Sequence, residues 1–237
     1  MKYAAILLLL LAYPFSALAT WSIIMADPIS KKIGIAGASC TYNCYGIGKI
    51  VPGKGAIVVQ AMSNKWAREK GVHMLLADAS PQEIIDALTD SMYDPEQQQY
   101  GVVSLLYVTA PRTYTGSATH PFQGTLTAPG VAIQGNTLAT EQVVQAIMKA
   151  VVQGQQNQLP LEEILMLALE AGSAAGGDKR CGEQRATSAF LMVANLMDKP
   201  KRVSLDLQFF GQKKGGMNAV TLLRGKYEKW KSKHGGL

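Results

Sequence analysis

The chain has 237 residues, 48% hydrophobic and 17% charged, with a formal net charge of +6. That length suits one domain with a substantial core, and no Pro/Ser/Gly-rich linker divides it. Gly211 to Leu237 hold seven Lys/Arg (Lys213, Lys214, Arg224, Lys226, Lys229, Lys231, Lys233) against Glu228, so the excess charge sits in the last segment and the body is close to neutral.

The first residues read as an export signal. Met1 and Lys2 give a positive start, Ala4 to Ala12 form an apolar run rich in Leu7 to Leu11, and Pro14 precedes the small-residue stretch Ser16-Ala17-Leu18-Ala19. The run is about half of the ~20 residues a bilayer-spanning helix needs. Ala17 and Ala19 fit the small-x-small pattern before a cut. The expected mature chain therefore starts at Thr20 with a free amine, in the periplasm or secreted, and residues 1–19 are set apart from a domain over 20–210 and a basic helical tail over 211–237. In an exported protein nucleic acid is not the expected partner of such a tail; a solvated helix face, or weak contact with an anionic envelope surface, is.

After Thr20, the runs Trp21 to Ala26, Ile33 to Ser39 and Ala56 to Met62 read as strands, punctuated by Asp27-Pro28, Gly46 and Pro52-Gly53. Trp66 to Ala77 has helical spacing, and Ser80-Pro81-Gln82-Glu83 is a capping box with Pro at the first helical position. Val102 to Thr109 and Val131 to Gln134 read as strands, Glu141 to Val152 and Leu161 to Ala171 as helices, Phe190 to Ala194 and Val203 to Phe210 as strands, and Val220 to Trp230 as a terminal helix. Runs segregated in this way predict layered α+β packing rather than alternating βαβ units.

Cys40, Cys44 and Cys181 allow one disulfide and one leftover thiol in an oxidising compartment, with the connectivity open. His73, His120 and His234 are scattered, so zinc has little support. Cys181 beside Lys179 and Arg180 has cationic neighbours that would activate a free thiol. Gly48-Lys49-Ile50-Val51-Pro52-Gly53-Lys54-Gly55 imitates a phosphate loop but puts Gly55 where a magnesium-binding Ser or Thr belongs, and it leads into a strand.

Several blocks together resemble the DUF1028 family, which is grouped with the N-terminal nucleophile (Ntn) hydrolases. They are Thr20-Trp21-Ser22-Ile23, Ala26-Asp27-Pro28, Gly34 to Ser39, Val51-Pro52 with Gly55 to Ala61, Ser80 to Glu83, Val131 to Leu138, and Ala168 to Gly172 running into Ala174 to Arg180. The resemblance implies a four-layer αββα sandwich with the amino-terminal residue at one end of the central sheets. Phe209 to Lys214 departs from the Asp/His/Pro-rich turn with which family members often finish.

That resemblance implies an amidohydrolase with Thr20 as nucleophile and no cofactor or metal. The α-amine of Thr20, with a reference pKa of about 7.7 to 8.0, would take the hydroxyl proton. Backbone amides around a Gly135-Asn136 turn and the Asn136 side chain are candidates for the oxyanion hole. Asp178 is the candidate to orient the amine or bind substrate, with Arg180 second; Ser39, Gln60 and Ser63, at strand ends, are further binding candidates. The substrate would be a small-molecule or peptide amide, and a homodimer is the expected assembly. The alternative is a non-catalytic Ntn-like shell that binds a ligand or an envelope partner, with Gly135-Asn136 an ordinary turn and Asp178-Arg180 a surface ion pair.

Overall fold

A computed structural model describes residues 20–119 and 122–234 of the chain. The export signal read over residues 1–19 lies outside the described residues. Among them are ten strands and five α-helices: β1 (Thr20–Ala26), β2 (Ile33–Ser39), β3 (Gly48–Val51), β4 (Gly55–Ala61), α1 (Lys65–Leu76), α2 (Pro81–Leu88), β5 (Gln98–Ser104), β6 (Arg112–Thr115), β7 (Gly124–Ala128), β8 (Val131–Asn136), α3 (Gln142–Gln156), α4 (Leu161–Ala174), β9 (Ser188–Ala194), β10 (Leu205–Phe209) and α5 (Ala219–His234). The protein is mixed α+β, with a six-stranded antiparallel sheet in the order β10-β9-β2-β1-β8-β7 and a four-stranded one in the order β3-β4-β5-β6.

Strand alternation sorts the side chains into three cores. On β1, Trp21, Ile23 and Met25 enter a core shared with Val143 and Ile147 of α3, Leu165 and Leu169 of α4, and Leu223 of α5. Ile24 and Ala26 turn the other way, towards Ala56 and Val58 of β4 and Val103 of β5, and so seal the two sheets together. The outer face of the smaller sheet packs Ile57, Val59 and Val102 against Leu75 of α1 and Ile84 and Leu88 of α2. Each such side chain stabilises the fold by roughly 1.5–3 kcal/mol relative to exposure. Because both faces of β1 are buried, its run is continuously apolar from Ile23 to Ala26, and alternation is confined to its first residues, where Thr20 and Ser22 are polar.

Local chemistry fixes the helix starts. The Asn64 side chain accepts hydrogen bonds from the backbone amides of Trp66 and Ala67. Ser80 and Glu83 form the reciprocal capping box expected from their spacing, with Pro81 in the first turn. The imitation of a phosphate loop is the β3–β4 hairpin, with Gly53 at φ +72° in its turn.

Three findings revise the sequence reading. The strand expected over Val102 to Thr109 is β5, Gln98–Ser104; its first two residues are polar yet buried between or beside other elements, so an apolar run does not mark its start. Strands β3, β6 and β7 are too short or too polar to stand out. The basic segment is not detached, because Ala219, Val220, Leu223 and Tyr227 of α5 are buried in the larger sheet's core. Arg224 pairs with Glu163 and Glu170 on α4, and Lys231 with Glu163.

Candidate active site at the head of the central strand

Thr20 is the first residue of β1, and its neighbours follow from strand register. Thr20 lies opposite Ser39 at the end of β2 on one side and opposite Asn136 at the end of β8 on the other. Ser39 in turn lies opposite Ser188, the first residue of β9. Ser188, Ser39, Thr20 and Asn136 therefore form one cross-strand row over four strands. Parity places all four on the face turned towards the smaller sheet, since Ile24, Ile35, Ala132 and Phe190, an even number of residues along their strands, belong to the core between the sheets. All four are buried. Adjacent members of such a row have Cβ atoms about 4.5–5.5 Å apart, close enough for one substrate atom to touch two of them.

The smaller sheet answers this row with two glutamines. Gln60 Nε2 donates to the Thr20 carbonyl at 3.2 Å and to Gln99 Oε1 at 2.7 Å, while Gln60 Oε1 accepts from Ser22 Oγ at 2.6 Å. Gln99 Oε1 also accepts from Asn136 Nδ2 at 3.4 Å, and Gln99 Nε2 donates to Thr115 Oγ1 and to the Gly135 carbonyl. Gln134 Nε2 donates to Ser22 Oγ at 2.6 Å. In this buried chain each amide's orientation is set by the next. Gly101 makes room for it: a Cβ there would fall 2.2 Å from Gln134 Oε1.

A loop closes over the head of β1. After α4 the chain turns through Gly176 and Gly177, both at positive φ, and Asp178 bridges to Leu138, just past β8. The Lys179 amide donates to the Thr137 carbonyl. Across β1, Asp178 Oδ2 accepts from the Cys40 amide at 2.6 Å, and Cys181 is joined to Cys40 by a disulfide. The segment from Asp178 to Cys181 thus spans both strands that flank Thr20.

The Asp178 carboxylate is fully buried and occupied: Oδ1 accepts from the backbone amide and Nε of Arg180, and Oδ2 from Cys40 N and an Arg180 terminal nitrogen at 2.8 Å. Asp178, the candidate to orient the Thr20 amine or bind substrate, fixes the Arg180 guanidinium and the end of β2 in the uncut chain. The Asp178–Arg180 ion pair is present, but it is half interior rather than superficial.

The remaining candidates divide. Thr20, Ser39, Gln60 and Asn136 come together. Ser63 lies beyond the end of β4 at φ +55°, where it accepts a hydrogen bond from Arg68 Nη1 and makes none with Thr20 among the described residues. Gly135 and Asn136 are not a turn but the last two residues of β8, so their backbone belongs to the sheet ladder. The turn starts one residue later at Thr137, which sits at φ +48° with its hydroxyl buried and unpartnered. A β-branched residue in the left-handed region is strained.

Cys181 is not a reactive thiol, because its sulfur is bonded to Cys40. The leftover thiol is Cys44, which is buried and pushed up to about 12 by that burial. It is inert at neutral pH. Among the described residues no group of three or more His/Cys/Asp/Glu side chains is placed to hold a metal ion. Residues that the sequence reading missed are Ser22, Gln99, Gln134 and Ser188. The available signal was polar side chains at alternate positions of apolar strands, Thr20 with Ser22 and Gln134 with Asn136.

A buried polar row between two antiparallel sheets, at the head of a central strand, defines a mixed α+β protein with one candidate site. The model of the family described as "Family of unknown function (DUF1028)" matches residues 20–213, and the chain belongs to that family. The crystal structure of a Silicibacter pomeroyi protein carrying the same family name is similar in fold, with a TM-score of 0.75 and 23% sequence identity over 90% of this chain and 86% of that one. No curated protein matches the chain.

Proposed function

We propose that the protein is an exported Ntn-type amidohydrolase whose nucleophile is Thr20, uncovered by removal of residues 1–19. The observation that carries the reading is the position of Thr20: it opens both the family match and the central strand, and it stands between Ser39 and Asn136. The sheet-on-sheet layering with helices outside each sheet is what an αββα Ntn shell requires.

In this reading the Thr20 amine takes the proton of its own hydroxyl, and Oγ1 adds to the carbonyl carbon of an amide. The tetrahedral oxyanion is met by Asn136 Nδ2, whose described bond to Gln99 is long at 3.4 Å and uses one of its two hydrogens. The C–N bond breaks as the protonated amine returns its proton to the leaving nitrogen. Water then releases the acyl group from the Thr20 ester. No step calls for a metal or an organic cofactor.

The test is the intact mass of protein recovered from the exported fraction, before and after treatment with a β-lactone. A chain beginning at Thr20 that gains one adduct, lost in Thr20→Ala, is the expected result. A chain that begins elsewhere, or that begins at Thr20 and stays unmodified, sinks the nucleophile assignment and favours the ligand-binding shell.

A further inference from the structure

The other end of the sheets, where β1 finishes, carries a surface that the candidate site does not use. Four turns meet there, at residues 27–32, 52–54, 105–111 and 195–204. Register puts the first and last side by side, because Ile33 lies opposite Ala194. The Leu105 amide donates to the Lys54 carbonyl and ties the middle two together. Lys31, Gly53, Lys54, Asp78, Leu105, Leu106 and Leu196 line one shallow depression at this meeting point, where the Asp78 carboxylate is paired with Lys54.

Large apolar side chains stand at the tips of these turns: Ile29 is 92% exposed, Met197 88%, Leu106 63% and Leu196 49%. Leu106 and Leu196 share the depression and Ile29 lines a neighbouring one with Pro28 and Pro129, and exposed apolar groups on adjoining turns mark a contact surface. Its surroundings are cationic. Lys31, Lys199, Lys201 and Arg202 are exposed, and none makes an ion pair among the described residues. The two acids within these turns are used locally, Asp27 accepting from Ile29 N and Ser30, and Asp198 from Asn195 N and Ser204. In the basic carboxy-terminal segment Arg224 and Lys231 are paired with α4 glutamates and Lys226 donates to the Gln208 carbonyl, while Lys213, Lys214, Lys229 and Lys233 make no ion pair among the described residues.

We propose that this end of the molecule docks on an anionic lipid surface, with Ile29, Leu106, Leu196 and Met197 entering the boundary between headgroups and acyl chains while Lys31, Lys199, Lys201 and Arg202 lie against the phosphates. Apolar tips on separate turns with cations beside them suit a soft, negatively charged interface. They suit a second copy poorly, since two-fold pairing would set the same cations against each other. The contact is peripheral: no described helix is long and apolar enough to cross a membrane. Seven residues of β1 separate the two ends, about 20 Å at strand rise, so docking leaves the head of β1 facing away from the bilayer. The proposal does not depend on Thr20 being a nucleophile.

Sedimentation of the full chain with phosphatidylcholine vesicles, with and without phosphatidylglycerol, tests it. Binding should require the anionic lipid, weaken with salt, and fall at least about tenfold in Lys31→Gln/Lys201→Gln and in Ile29→Ser/Met197→Ser, with the melting temperature of each variant unchanged. Because residues 1–19 are themselves apolar, a local probe is added: Met197→Trp should show blue-shifted emission on vesicles. Binding that both variants retain, or a Met197→Trp emission that does not move, overturns the proposal. So does an absence of lipid binding with a dimer that the Ile29→Ser/Met197→Ser variant dissociates, which would assign the surface to a second copy.

Discussion

Among the described residues, the side chain hydrogen-bonded to the Thr20 carbonyl is a neutral amide. Gln60 holds that carbonyl, and Gln99 holds both Gln60 and Asn136. Asp178 and Arg180 on the overlying loop bring charge near Thr20, and there the carboxylate is saturated by the guanidinium and the Cys40 amide. Removing that carboxylate would take from Arg180 its ion-pair partner and from the Cys40 amide its acceptor. Asp178→Ala should therefore lower the unfolding free energy by about 3 kcal/mol, the low end for breaking a buried pair because Arg180 still reaches solvent. Urea titration measures this, and a loss below about 1 kcal/mol would show that the pair is only ornamental.

Among the elements, the overlying loop and α2 show two ways of holding a segment. The loop has little apolar burial of its own and is tied down by Asp178, by the Lys179 amide on the Thr137 carbonyl and by the Cys40–Cys181 disulfide. Helix α2 holds itself, through its capping box and the stripe Ile84, Ile85 and Leu88. Ser80→Ala should cost about 1 kcal/mol of stability, the usual value of an N-cap, read as a lower denaturation midpoint with an unchanged slope. An unaltered midpoint would mean that α2 is fixed by packing alone.

Over the whole molecule, α5 is clamped to α4 by Arg224 and Lys231 around Glu163. Burial pushes the Glu163 carboxyl up, but hydrogen bonds from Lys231 and Arg224 and their charge outweigh it and hold the group below its usual 4.5. A carboxyl lowered by folding contributes stability above 4.5, and that contribution drains away as pH falls through its lower folded-state value. The melting temperature should accordingly drop on acidification, and Glu163→Gln should start lower at neutral pH and lose less below 4.5. Parallel curves for the two proteins would show that the clamp is not part of the acid response.

Much of this was legible along the chain. Apolar runs, turn residues and the Ser80 capping box placed most strands and helices, because these signals act within a few residues of one another. The blocks from Thr20 to Arg180 pointed to the family, and to Thr20, Asn136 and Asp178. Register could not be read: Asn136 lies opposite Thr20 only because β8, more than a hundred positions away, pairs with β1. Gln99 and Gln134 looked like ordinary polar residues, since only sheet-on-sheet packing buries them and turns their amides towards each other. Asp178 could be read with Arg180 two residues on, but not with Cys40, whose amide only folding brings to it. Cysteine pairing, too, waited on the approach of β2 to the loop after α4. Sequence determined the elements, whose causes are local; tertiary structure decided the site, whose parts meet only once long loops are closed and two sheets are pressed face to face.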